Sequence, residues 1–145
     1  MSSDPFSHDP RSLDWVLADF VRRVPHTRAA VLASSDGVLK HRHGLGADDA
    51  DRLSAIATGL CSLARGVGVL AGDSEGAVRQ VVVEHDAGLL FVSAAGQRAV
   101  LAVWAGQEAD PGVVGYEMAQ LVKSIPEHLA TPVRPGTPLP GDAGV

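Results

Sequence analysis

The chain has one cysteine, Cys61, so no internal disulfide can form and a four-thiolate zinc site is out of reach. Aromatic residues are 4% of the sequence, too few for platforms that stack exposed bases. Lys and Arg number 12 against 17 Asp and Glu, a net charge of -5. That balance argues against a broad phosphate-binding surface, and so against a nucleic-acid partner. Apolar runs are broken by Gly, Ser or charge well short of the roughly 18–20 residues of a spanning helix, so no membrane span is expected. Residues 1–10 have neither the basic start nor the apolar stretch of a secretory signal, which makes the cytoplasm the expected location.

What remains is 145 residues, 46% of them hydrophobic and 20% charged. A chain of this size buries roughly 68–70% of its unfolded surface, enough for one core without staples or metal. Residues 1–10 are polar, and 131–145 (TPVRPGTPLPGDAGV) are rich in Pro and Gly. Neither end carries enough apolar surface to offset the entropy of ordering. The expectation is therefore one domain over 11–130 between two disordered tails.

Helix signals open the domain. Asp9 can cap, Pro10 suits the first helical position, and Leu13, Val16, Leu17, Phe20, Val21 and Val24 recur at three-four spacing before Pro25. Two strands follow over 28–34 and 38–43, joined by the turn Ser34-Ser35-Asp36-Gly37. Charge alternates through the second, with Lys40 and Arg42 opposite Leu39, His41 and His43, as on an exposed edge. A second helix is expected over about 48–66, with Asp48 as its cap and acidic residues at the positive end of its dipole. After a glycine-rich connection over 66–76 come three strands, 77–84, 89–94 and 98–105, linked by short turns into an antiparallel meander. The last helix starts at Asp110-Pro111 and buries Val113, Val114, Met118, Leu121, Val122 and Ile125; Pro126 should end or kink it near Ser124 or Ile125. The order α-β-β-α-β-β-β-α implies an α+β fold, a five-stranded antiparallel sheet with helices on both faces.

The second helix carries two apolar stripes. Leu53, Ile56, Leu60, Leu63 and Val67 form a bulky one; Ser54, Ala57, Cys61, Ala64 and Gly68 form a small-residue one, roughly 110° away at about 100° per residue. One stripe is enough for packing on a sheet. The small stripe suggests close approach to the same helix of a second copy across a two-fold axis. The alternative is that small residues let the helix sit close to its own sheet. On the first reading Ser54, Ala57, Cys61 and Ala64, with Val81 and Val83 on the neighbouring strand, form a dimer interface.

Catalytic signatures are missing. The glycines of 66–72 are followed by no Lys-Ser or Lys-Thr, so the segment has no phosphate-binding cation or magnesium hydroxyl. His41 and His43 could share a strand face as half of a metal site; no third ligand lies near in sequence, though His85 or Asp86 could converge on them in space, and a solvated edge is the simpler reading. Glu84, His85 and Asp86 stand at a strand end without a nucleophile, and Cys61 without a base. No enzyme activity, cofactor or metal site is expected.

Taken in order, LDWVLADFVRRVP, AAVLASSDGVLK, ADRLSAIATGLCSLARGVG, VRQVVVE, GLLFVSAAG and YEMAQLVKSI resemble a bacterial roadblock / dynein light-chain domain, from about Leu13 to Leu129. The resemblance is to the conservon type, small proteins encoded beside a sensor kinase and a Ras-like GTPase. It implies a profilin-like architecture and a homodimer in which second helices pair and third strands join two sheets. It also implies binding to a small Ras-like GTPase, whose hydrolysis such domains can speed by ordering the GTPase's own residues. A sensor histidine kinase is a further implied partner. Two other functions fit the same residues: a scaffold that leaves nucleotide turnover unchanged, and a small-ligand sensor. The sensor would need a closed apolar pocket, one that Trp15, Phe20, Phe91 or Trp104 does not fill.

Overall fold

A hairpin and a meander, each with apolar strands, can bury both of their faces only by sharing a sheet and covering it on two sides. The structure, a computed structural model that describes residues 13–129, does this. Its elements are α1 (Asp14–Arg23), β1 (Thr27–Ser34), β2 (Leu39–His43), α2 (Ala47–Leu70), β3 (Val81–His85), β4 (Gly88–Ala94), β5 (Ala99–Ala105) and α3 (Pro111–Leu129). The expected order therefore holds. The five strands lie in the order β2-β1-β5-β4-β3, every pair antiparallel. Pairing of β1 with β5, from Ser34 opposite Ala99 to Thr27 opposite Ala105, fuses the hairpin to the meander.

Alternation along the strands sends Ala30, Leu32, Phe91, Leu101 and Val103 to one face, beneath α1 and α3. Val31, Leu90, Val92, Val100 and Ala102 go to the other, beneath α2. On α1, Leu13, Val16, Leu17, Phe20 and Val24 are buried as the spacing requires. The first turn of α1 is held by the β2 edge: the Leu13 amide donates to His41 Nδ1 at 3.1 Å, and the Arg42 amide donates to Asp14 Oδ1 at 3.0 Å. Helix α1 starts at Asp14 with Leu13 as its N-cap, later than the start expected at Asp9-Pro10; those two residues and the expected tails lie outside the described residues.

Other boundaries differ from expectation too. Helix α2 runs to Leu70, through Gly66 and Gly68, because its final carbonyls find donors: Ala71, Gly72 and Asp73 amides bond to Val67, Val69 and Gly68. Its N-cap is Gly46 rather than Asp48, which sits with Asp49 inside the first turn and still faces the positive dipole end. The chain enters that cap through Gly44, at φ 87°, where a side chain would strike the Arg28 carbonyl. Strand β3 starts at Val81, so residues 77–80 stand off the sheet. Helix α3 is capped as expected, Asp110 Oδ1 accepting the Gly112 and Val113 amides at 2.9 and 3.4 Å. It continues through Pro126 to Leu129, past the end expected at Ser124 or Ile125, although an interior proline removes one helical hydrogen bond and crowds the carbonyl four residues back. Val113, expected inside, is exposed.

The extended α2 also corrects the expectation about membrane spans. At 24 residues, with a mean hydropathy of 1.6 over its most apolar window, it is long and apolar enough to cross a bilayer by length and composition. Here it forms a layer of the domain, seated on the sheet through Ala50, Ser54, Ala57 and Cys61.

Candidate functional site

Helix α2 and strand β3 hold the candidate site. Ala50, Ser54, Ala57 and Cys61 recur at spacings of four, three and four, one line down the helix, and each is at most 1% exposed. They contact the chain's own core, alongside Val31, Val92, Val100 and Ala102. Ser54 tolerates this because its hydroxyl donates to the Ala50 carbonyl at 2.9 Å. The assignment of Ser54, Ala57 and Cys61 to a dimer contact is thereby corrected: small side chains let α2 approach its own sheet, and a second copy cannot reach them. Ala64 is half-buried one turn on.

The bulky stripe faces outward instead. Ile56 is 47% exposed, Leu63 77% and Val67 63%, and Val69 and Leu70 extend the apolar surface to the helix end. Leu53 and Leu60 flank it, half-buried. Beside the helix an apolar groove of about 270 Å³ runs between Leu53 and Ile56 on α2 and Leu90 and Trp104 on the sheet. Val81 and Val83 lie on this same sheet face, half-buried, on β3. Strand β3 pairs only with β4, so its outer edge has no strand partner among the described residues. Contiguous exposed apolar side chains on a helix, beside a groove and an unpaired strand edge, are the features of a protein-binding surface. The bulky stripe was visible in the sequence; its direction was not, because spacing fixes the angle between two stripes but not which one meets the sheet.

The other candidate residues are engaged structurally. His41 is half-buried, accepts the Leu13 amide, and has Asp14 Oδ1 at 3.5 Å. Burial lowers its pKa, an effect that Asp14 opposes and Lys40 reinforces. Among the described residues no group of three His, Cys, Asp or Glu is placed to hold a metal, and His43 has no such company. At the β3–β4 turn His85 Nδ1 accepts the Ala87 amide at 2.9 Å, and Glu84 and Asp86 border a depression with Leu89 and Gln107. Burial raises the Cys61 pKa, with Arg65 opposing, so the thiol is held in its unreactive form. Phe20 and Phe91 fill the interior between sheet and helices, and Trp104 is half-buried under α2.

This geometry has counterparts among known proteins. Residues 13–105 match the model of the Roadblock/LC7 domain. Among curated proteins none matches this chain significantly in sequence. A Roadblock/LC7 domain from Streptomyces avermitilis is 57% identical, over 83% of this chain and 99% of that one, with a TM-score of 0.78. The gliding protein MglB from Thermus thermophilus is 18% identical, over 89% of this chain and 97% of its own, with a TM-score of 0.71. An MglB described as having a tetrameric arrangement is also 18% identical, over 89% and 96%, with a TM-score of 0.73.

Proposed function

Because the chain belongs to the Roadblock/LC7 domain family, we propose that it is a cytoplasmic, non-enzymatic regulatory protein that works as a homodimer. The observation that carries this reading is the outward bulky stripe of α2, bordered by a groove and by the unpaired β3 edge. In the dimer, the Ile56, Leu60, Leu63 and Val67 ridges of two copies pack together, and Val81 and Val83 lie beside them. The β3 edges then join two five-stranded sheets into one. An MglB with a tetrameric arrangement is consistent with self-association on this fold.

The dimer presents its combined surface to a small Ras-like GTPase and modulates that GTPase's hydrolysis, within a system linked to a sensor histidine kinase. Such a role needs shape and rigidity rather than a catalytic group, since ordering the GTPase's own residues is enough. The domain that does this spans 11–130, between tails at 1–10 and 131–145. Sedimentation velocity at micromolar concentration should give twice the chain mass; monomer alone would overturn the dimer. Capture from the native source should recover a Ras-like GTPase. Single-turnover hydrolysis by that GTPase should then change when this protein is added, whereas an unchanged rate would leave a scaffold.

A further inference from the structure

On the opposite side of the sheet from α2, at the far end of β4, the domain is incomplete in a second way. The row Leu89, Phe91, Ser93 faces α3, and its last member breaks an otherwise apolar line. Ser93 is 4% exposed and its hydroxyl has no hydrogen-bond partner among the described residues. Valine or alanine would fit a strand there without an orphaned polar atom, so the hydroxyl is expensive unless something else meets it. The neighbouring strand gives way at the same point. Val81 pairs with Val92, and in that register residues 80 and 79 would oppose Ser93 and Ala94. Residues 77–80 leave the sheet instead, and the gap between them and α3 is a cleft of about 610 Å³.

The cleft has a defined chemistry. Val78, Met118 and Val122 supply apolar walls, and Ser93 lies at its floor. Arg79 and Lys123 stand exposed at its mouth, neither in an ion pair among the described residues, and no Asp or Glu lines it. In a chain of net charge -5 this is a local excess of positive charge. A volume of this order lies within the range of small-molecule sites.

We propose that this cleft, between α3 and residues 77–80, binds a small anionic amphiphile: an apolar chain in the walls, an oxygen at Ser93 and a carboxylate between Arg79 and Lys123. The site does not depend on the dimer reading, and its test measures binding alone. It does adjoin that surface, because residues 77–80 run directly into β3.

The probe is 10-hydroxydecanoate, titrated calorimetrically into the full chain, with decanoate and 1,10-decanediol as comparisons. Saturable binding with one site per chain is expected. Decanoate, which lacks the deep oxygen, and the diol, which lacks the charge, should each bind about tenfold more weakly. Ser93→Ala should bring 10-hydroxydecanoate and decanoate within about twofold of each other. Lys123→Glu should weaken both acids by about tenfold and leave the diol unchanged. Ala119→Phe, at an exposed wall position, should abolish binding without changing the melting temperature. Absence of saturable binding up to about 1 mM, or binding indifferent to Ala119→Phe, would overturn the proposal. Binding that appears only after removal of residues 131–145 would overturn it too, and would assign the cleft to the chain's own C-terminal segment.

Discussion

On one face of the sheet Phe20 and Phe91 meet Leu17, Leu101 and Met118 beneath two helices; on the other, Ala50, Ala57 and Cys61 let a single helix settle against Val31, Val92 and Ala102. Large side chains fill the first space from within. Small ones close the second by bringing backbones together, and the large residues of α2 are then left pointing outward. Apart from the cleft at Ser93, the first face is finished by one chain. The second buries its inner layer and presents a new apolar surface, so its completion falls to a partner. Size of side chain, more than hydrophobicity, sets this difference, since both stripes of α2 are apolar.

Substitutions can separate the two faces. Phe91→Ala in the finished core should cost about 3–5 kcal/mol of folding stability, read from urea denaturation, because the cavity lies between sheet and helices and cannot collapse. Ala57→Arg attacks the small stripe and should also act on folding. A charge forced between α2 and the sheet has no partner, and an uncompensated buried charge costs about 3–5 kcal/mol. Loss of the cooperative circular-dichroism transition is therefore expected. A well-folded Ala57→Arg monomer would mean that the small stripe meets a second copy after all.

Leu63→Glu tests the outward stripe and should be milder to the fold. The side chain is 77% exposed, so the isolated chain gains a solvated carboxylate and keeps its core. In the dimer the same carboxylate would face its symmetry mate across an apolar contact. Sedimentation should show association weakened by at least about tenfold, with the far-ultraviolet spectrum preserved. Unchanged association would move the interface off the bulky stripe.

How far the sequence carried the architecture follows from the same physics. Element order and antiparallel pairing were legible because periodicity and turn residues are local signals, as at Ser34–Gly37 and Asp110-Pro111. The two stripes of α2 were legible too, for the same reason. Which one faced the sheet was not, since that depends on how closely two backbones must approach, and Ser54 and Cys61 look like interface residues until the sheet is in place. Helix α2 ran past Gly66 because donors from residues 71–73 cap it, a tertiary arrangement of a loop with no regular pattern. The cleft at Ser93 depends on residues 77–80 leaving a strand whose composition suits continuing it.

The smallest expected effect tests the corner where the finished face is tied to an edge strand. His41 is neutral in its structural role, its Nδ1 accepting the Leu13 amide at the start of α1. Burial lowers its pKa in the folded chain, Asp14 opposing and Lys40 reinforcing, while the unfolded chain keeps the ordinary value of about 6.5. Below that value the unfolded state therefore binds more proton than the folded one. The contribution of neutral His41 is fully present above pH about 6.5 and is lost as pH falls through 6.5 towards the lower folded value. Protonation also turns Nδ1 into a donor, which cannot accept the Leu13 amide. Melting temperature should therefore decline on acidification from neutral pH to pH about 5 more steeply in the native chain than in His41→Asn. In that variant Oδ1 can stand in for Nδ1 without titrating, so the comparison isolates position 41. A native chain that gains stability relative to the variant over this range would show that Asp14 outweighs burial, and that the β2 edge holds α1 through an ion pair instead of a neutral acceptor.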